Sequence, residues 1–286
     1  MKRLLLFAIL ISILAPSLMA QQRSPRWKRT EAPVKLDLRL FHSPHALNLP
    51  TAETLQKGDL EIEISHRFLP PLSEGFDQLY GIDGPINNRL AIGYAPSNRM
   101  VITIARSNTN DNLDFQIKHK TIQIYSQSLP TEIGLLGGIG WNMEVFDENG
   151  KRSRTDSKNF QFYGQMITNS LMNKHFGFGL VLSHLENSRF FGDETLSTTA
   201  LGGYIGYFSF KRWNFIAEWN QTIDGYKVHS NSLAMGFELE TGGHIFKILV
   251  GNSAAMNPSQ YLAGADISPD LDNWRLGFML TRLLKI

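Results

Sequence analysis

Trp213-Asn214-Phe215-Ile216-Ala217-Glu218-Trp219 and Leu233-Ala234-Met235-Gly236-Phe237-Glu238-Leu239 decide the fold. In each, a large apolar residue or its small stand-in returns at every second position, and a glutamate falls in between. A period of two sends successive side chains to opposite faces of a strand, whereas a helix spaces its apolar stripe at three and four. The alternation recurs in Leu60, Ile62 and Ile64, in Leu90, Ile92 and Tyr94, in Leu113, Phe115 and Ile117, and in Trp274, Leu276, Phe278 and Leu280. Helical spacing is confined to a turn or two at 52–57.

Extending the pattern predicts twelve strands, near 59–68, 88–94, 100–107, 112–125, 131–145, 159–171, 174–185, 197–209, 212–222, 228–240, 243–253 and 273–283. The connections alternate in character. Of the odd-numbered connections, 69–87, 146–158, 186–196 and 254–272 are long and 108–111 and 223–227 short, whereas the even-numbered ones, 95–99, 126–130, 172–173, 210–211 and 241–242, are all short. An up-and-down barrel sends its odd turns to one end and its even turns to the other, and outer-membrane barrels place short turns and both termini in the periplasm. A Greek-key sandwich gives no reason for such alternation. An even number of strands also closes without unpaired edges. The expected fold class is all-β: an antiparallel up-and-down transmembrane β-barrel of about 12 strands, following a cleaved signal peptide.

The two faces agree. Trp141, Phe160, Phe162, Phe176, Phe178, Tyr204, Phe208, Trp213, Trp219 and Trp274 are read as the apolar face, with aromatics near strand ends as membrane interfaces require. The opposite face carries Glu61, Glu63, Arg67, Asp114, Lys118, Lys120, Glu144, Glu218, Glu238, Lys247 and Arg275, the expected lining of the lumen. Twelve strands enclose too wide a space for an apolar core to fill easily, so the charges belong inside and the apolar face toward lipid. Two places break the phase. Ile122 and Ile124 fall out of step with Ile117, which implies a bulge near His119 or the strand's end. Arg106 shares parity with Ile102 and Ile104; the sequence leaves Arg106 and His119 unassigned between lipid and lumen.

The organisation along the chain is simple. Lys2 and Arg3, the apolar run from Leu4 to Ala15, Pro16 and Ala20 read as a signal peptide over 1–20. Residues 21–58 are expected to be a periplasmic N-terminal segment and 59–286 the barrel. Removing 1–20 takes away Lys2 and Arg3 and no acid, so the remaining chain is formally neutral. That leaves no basis for nucleic-acid binding, and Arg23, Arg26, Lys28 and Arg29 read as a basic tail. The 286 residues include no cysteine, which removes disulfides, thiolate metal sites and cysteine nucleophiles. With 42% hydrophobic and 19% charged residues, neither a disordered chain nor a helical membrane bundle fits.

Leu55-Gln56-Lys57-Gly58-Asp59-Leu60, Ile64-Ser65-His66-Arg67-Phe68, Tyr80-Gly81-Ile82-Asp83-Gly84, Arg89-Leu90-Ala91-Ile92-Gly93-Tyr94 and Ile104-Ala105-Arg106-Ser107 together resemble an uncharacterised bacterial barrel family, the domain-of-unknown-function group 5777. The resemblance is strongest over 41–125. It implies an outer-membrane location in a didermic bacterium, and no catalytic residues.

Candidate sites follow from the same pattern. Arg67 faces the lumen and is expected to pair with Glu74, Asp77 or Asp83 of the 69–87 loop, whose glycines would let it fold inward. His42-Ser43-Pro44-His45 brings two imidazoles together, but no carboxylate at suitable spacing accompanies them, so the stretch is read as solvated and no metal or cofactor is expected. A barrel hydrolase that sets His and Ser two apart on one strand face would need His-x-Ser, which is absent; Ser65-His66 and His229-Ser230 point apart. No catalytic residue is assigned and no enzyme is expected. The basic stretch Glu148-Asn149-Gly150-Lys151-Arg152-Ser153-Arg154 is read as an exposed tip that could touch lipopolysaccharide phosphates. The expected function is a pore or transporter for small polar solutes or ions in contact with outer-membrane lipid. A closed barrel with a structural or surface-binding role, and a lipid-modifying enzyme, are the alternatives. Oligomeric state is not legible.

Overall fold

A computed structural model describes residues 38–286 apart from 148–149 and 210–211. The expected signal peptide and the four basic residues after it lie outside the described residues. Twelve antiparallel strands close into one barrel: β1 (Asp59–Phe68), β2 (Ile86–Ser97), β3 (Met100–Ser107), β4 (Asn112–Ile124), β5 (Thr131–Asn142), β6 (Phe160–Leu171), β7 (Phe176–Glu186), β8 (Ser197–Phe208), β9 (Trp213–Gly225), β10 (Ser232–Glu240), β11 (His244–Gly251) and β12 (Arg275–Lys285). Each pairs with its neighbours in sequence, and β1 meets β12 at the seam, with Asp59 opposite Lys285 and Arg67 opposite Gly277. The register shift in β4 falls between Lys120 and Ile122, at the predicted bulge.

The faces are inverted relative to a water-soluble barrel. Leu90, Ile92, Ile104, Ile205, Phe237 and Ile248 are each more than half exposed on the outside. Glu63, Arg67, Asp114, Lys120 and Lys247 are at most 1% exposed on the inside. Water would not tolerate an apolar belt of this extent, whereas a hydrocarbon layer requires one. Arg106 and His119 both lie on the outer face, and Arg106 is paired with Asp111 in the turn after β3. That pairing at a strand end spares the arginine an unneutralised position among the apolar residues.

Three aromatics depart from their expected face. Tyr204 and Phe208 point inward, where Phe41 sets its ring edge on each at a centroid distance of 5.4 Å. Trp274 precedes β12 and is buried against its own loop, donating to the Pro269 carbonyl at 2.8 Å. The reason is that the lumen is not uniformly polar, and an inward aromatic keeps the period of two without revealing which side is in.

What fills the lumen is the N-terminal segment. Residues 38–57, expected in the periplasm, form a tight hairpin inside the barrel. The Ala46 amide donates to Leu49 at 2.8 Å and the Thr51 amide to Pro44 at 2.9 Å. Leu47, Leu49 and Ala52 are almost completely buried. From the other end, 252–265 folds inward around one helical turn, Pro258–Tyr261, with Asn257 donating to Asn112 at 2.6 Å. The 69–85 connection, whose glycines would let it fold inward, stays outside with Phe76 and Tyr80 exposed.

Inside the wall, large rings lie over glycines. The Tyr204 ring crosses its cross-strand partner Gly179, so a Cβ there would overlap the ring. Gly179→Ala must displace that ring. Its hydroxyl would then leave Pro50, to which it donates at 3.3 Å, and Asn169, which donates to it at 2.5 Å. A loss of about 1–3 kcal/mol is expected, as for other overpacked cores, read as a lower urea midpoint of the heat-modifiable gel band.

Candidate functional site: a lumen closed by a hairpin

The inner wall has two characters. Leu136, Tyr163, Ile167, Val181, Leu185, Tyr204 and Phe208, all on β5 to β8, make an apolar side against which Leu40, Phe41, Leu47 and Leu49 of the hairpin pack. The rest of the wall mixes a few apolar residues, Ile216, Ala234 and Leu249, with polar and charged ones, and its charges bind the hairpin mainly through the backbone. The Glu218 carboxylate accepts from the amides of Leu47 at 2.9 Å, Asn48 at 2.9 Å and Leu49 at 3.1 Å, and from the Asn48 side chain at 2.7 Å. Successive amides curled round one anion make a concave donor site.

Cations bind the carbonyls in the same way. Lys247 donates to His45 at 2.6 Å and to Ala46 at 2.7 Å, with Glu238 beside it at 3.2 Å. Lys118 donates to the carbonyls of Pro44 at 2.8 Å and Thr51 at 3.1 Å. Lys120 joins Leu38 at 2.9 Å, Glu53 at 3.0 Å and Glu132 at 2.9 Å. Glu53 in turn accepts the amide of Phe41 at 3.0 Å, linking the two arms. A backbone taken out of water must find partners or lose about 1–3 kcal/mol per group, and here the wall supplies them.

The residues expected to line the lumen divide accordingly. Glu61, Glu63, Arg67, Asp114, Lys118, Lys120, Glu218, Glu238 and Lys247 point inward and are buried. Asp114 is turned to the far loop and β6, accepting from Tyr163 at 2.7 Å and Ser259 at 3.4 Å. Glu144 does not line the lumen: β5 ends at Asn142, and the Glu144 amide donates to Asn110 within the loops. Arg275 sits at the loop end of β12, donating to the Leu69 carbonyl at 2.7 Å and pairing with Asp266. Arg67 does not reach Glu74, Asp77 or Asp83; it donates to the Asn48 side chain at 2.8 Å, because the hairpin tip is nearer than the outer loop.

Two further inward charges obey the same parity. Arg89 alternates with Leu90 and is buried against Glu63. Glu132 regains the inward face after the bulge. Glu53 and Asn48 carried no signal, because the hairpin has no strand pattern.

His45 lies within the lumen, correcting the solvated reading at that residue, whereas His42 stays exposed beside Glu240. Burial, partly opposed by Glu63, pushes its imidazole down to about 3, so the ring is neutral. Between the hairpin tip and the inward loop remains a cavity of about 20 Å³, lined in part by His45, Asn48, Glu63, Arg67, Gln116 and Tyr261. Among the other histidines, His66 lies on the outer face with its ring 4.5 Å from Phe278, and His184 pairs with Glu186 outside at 3.0 Å. The basic tip is less basic than it reads. Arg152 is buried and donates to the Phe190 and Gly192 carbonyls, leaving Arg154 exposed; Glu148 and Asn149 lie outside the described residues.

Comparison with solved structures finds outer-membrane barrels at low identity. KdgM porin is 10% identical with a TM-score of 0.45, covering 78% of this chain and 98% of that one. NanC porin is 11% identical with a TM-score of 0.45, covering 79% and 99%. An outer membrane channel from Pseudomonas putida F1 is 12% identical with a TM-score of 0.40, covering 82% and 98%. No curated protein matches the chain. The family model described as "Membrane bound beta barrel domain", group 5777, matches residues 41–284, and this chain belongs to that family.

Proposed function

We propose that this is an outer-membrane barrel with both termini in the periplasm, through which small polar solutes or ions pass when the hairpin at 38–57 yields. The observation that carries this reading is the Glu218 cradle. The wall grips the hairpin by charge-assisted bonds to backbone groups, and water can take over every one of them once the hairpin moves. The route so opened is lined on one side by Glu63, Lys118, Glu218 and Lys247, a mixed set that favours neither ion sign strongly.

A second reading has its own support. The cavity of about 20 Å³ and the apolar contacts of Phe41, Leu47 and Leu49 fit a barrel that stays closed and serves as a structural or surface-binding protein.

A reversible lock separates the two. A Cβ built on Gly134 lies 3.5 Å from the Ala52 Cβ, within the range a disulfide bridges. With no native cysteine, Ala52→Cys combined with Gly134→Cys gives a single defined cross-link between hairpin and wall. The gated reading expects discrete current steps across a planar bilayer after reduction and silence after oxidation. Silence in both states, from a barrel shown folded by heat-modifiable migration, would sink the gated reading and support the closed one.

A further inference from the structure

Three side chains of metal-ligand type converge where the hairpin meets β1. Glu61 and Glu63 are two apart on the strand and so share its inner face. His45 approaches from the hairpin. Candidate donor atoms of the three all lie within 4.8 Å of one another, and His45 Nδ1 is 3.7 Å from Glu63 Oε2.

The two carboxylates are served differently. Glu63 Oε1 accepts the Ser65 hydroxyl at 2.7 Å and the Arg89 guanidinium, leaving Oε2 toward His45. Glu61 is 3% exposed, and its Oε2 has no hydrogen-bond partner. The neighbouring cations Lys118, Arg89 and Lys247 act on Glu61 through space, and their hydrogen bonds go to other groups: Lys118 to the Pro44 and Thr51 carbonyls, Lys247 to those of His45 and Ala46, and Arg89 to Glu63 and Asn257. A buried, unpartnered carboxylate oxygen is costly unless it takes up a proton or a cation. Next to an imidazole and a second carboxylate, the matching cation is one that accepts nitrogen and oxygen donors together.

We propose that His45, Glu61 and Glu63 bind one divalent transition-metal ion of the zinc type, which fastens the hairpin to the first strand. Metal–donor bonds of about 2.0–2.2 Å place neighbouring ligand atoms roughly 3.3 Å apart. The His45–Glu63 pair is close to that spacing, and small rotations of the glutamates bring in the third ligand. The adjoining cavity, lined by His45 and Glu63, has about 20 Å³, room for the one water that completes a four-coordinate ion. Magnesium and calcium favour all-oxygen shells and suit this set poorly. The inference stands whether or not the barrel conducts.

The test uses the chain folded in detergent, stripped with chelator and titrated calorimetrically with Zn²⁺, with Mg²⁺ as the contrast. One Zn²⁺ per barrel is expected, with little Mg²⁺ competition. His45→Gln and Glu61→Gln should each weaken binding roughly tenfold or more, and His184→Gln, on the exposed pair with Glu186, should leave it unchanged. Amide exchange over 43–50 should slow when Zn²⁺ is present. Because variants can fail to fold, Co²⁺ absorption of the unaltered chain gives a second readout, with intense four-coordinate bands expected. Absence of stoichiometric Zn²⁺ binding, unchanged binding in both lumen variants, or weak six-coordinate Co²⁺ bands would each overturn the site; in the first case Glu61 holds a proton instead.

Discussion

Removing residues 38–57 is expected to turn a barrel that passes current only while its hairpin is displaced into one that is held open. The deletion stops short of Gly58, so all twelve strands and the Asp59–Lys285 seam keep their pairing. Taking out the whole hairpin differs in kind from neutralising one wall charge. Glu218, Lys118 and Lys247 lose their backbone partners together, but water enters with the loss and hydrates them, so no ion is left stranded in a dry interior. The barrel should fold, with its heat-modifiable gel shift retained, and conduct steadily where the intact chain opens only intermittently. The inward loop at 252–265 stays seated through Asn257 on Asn112 and Ser259 on Asp114, so the steps should be smaller than an unobstructed twelve-strand lumen would give. Silence from the folded deletion would assign the closure to that loop.

Glu218→Ala should have the largest effect of any single substitution. It strips the acceptor from three consecutive amides and from the Asn48 side chain, whose oxygen accepts from Arg67. Breaking a buried charged contact from one side costs about 3–5 kcal/mol. The hairpin can escape that cost by leaving the lumen, so the loss falls on its seating and less on the strand pairs. Amide exchange at Leu47, Asn48 and Leu49 should accelerate by about a hundredfold or more, while exchange along β9 changes little. Glu218→Gln keeps one acceptor oxygen and should fall between. Equal acceleration in hairpin and wall would mean that the two unfold as one unit, with no independent movement of the hairpin.

The wall was legible in the sequence because a strand with one face in lipid and one in a polar lumen obeys a strict period of two. Leu60, Ile62 and Ile64 against Glu61 and Glu63, or Phe215 and Ala217 against Glu218, show it directly. Alternating loop lengths added the direction of each strand, and the slip at Ile122 located the bulge. Parity failed where the lumen turns apolar, at Tyr204 and Phe208, and just before the last strand, where Trp274 folds onto its own loop. The hairpin was not legible. Its tip is enclosed by the wall and has no single face to alternate, and its partners lie far away in sequence: Ala46 meets Lys247, and Leu47 meets Glu218. His45 looked isolated for the same reason, since the carboxylates near it come from the first strand.

The hairpin also has a bearing on how the barrel is assembled. Closing the seam joins the first strand to the last, the longest loop the chain must close and the step with the highest entropic toll. Residues 38–53 touch β4 through Lys118 and Lys120, β9 through Glu218 and β11 through Lys247. They therefore tie the early and late parts of the sheet together from within. A hairpin docked on the curling sheet acts as a mandrel around which the remaining strands wrap, holding β1 within reach of β12 before a single seam bond exists. The segment that shuts the finished barrel is thus the one that shortens its path to closure.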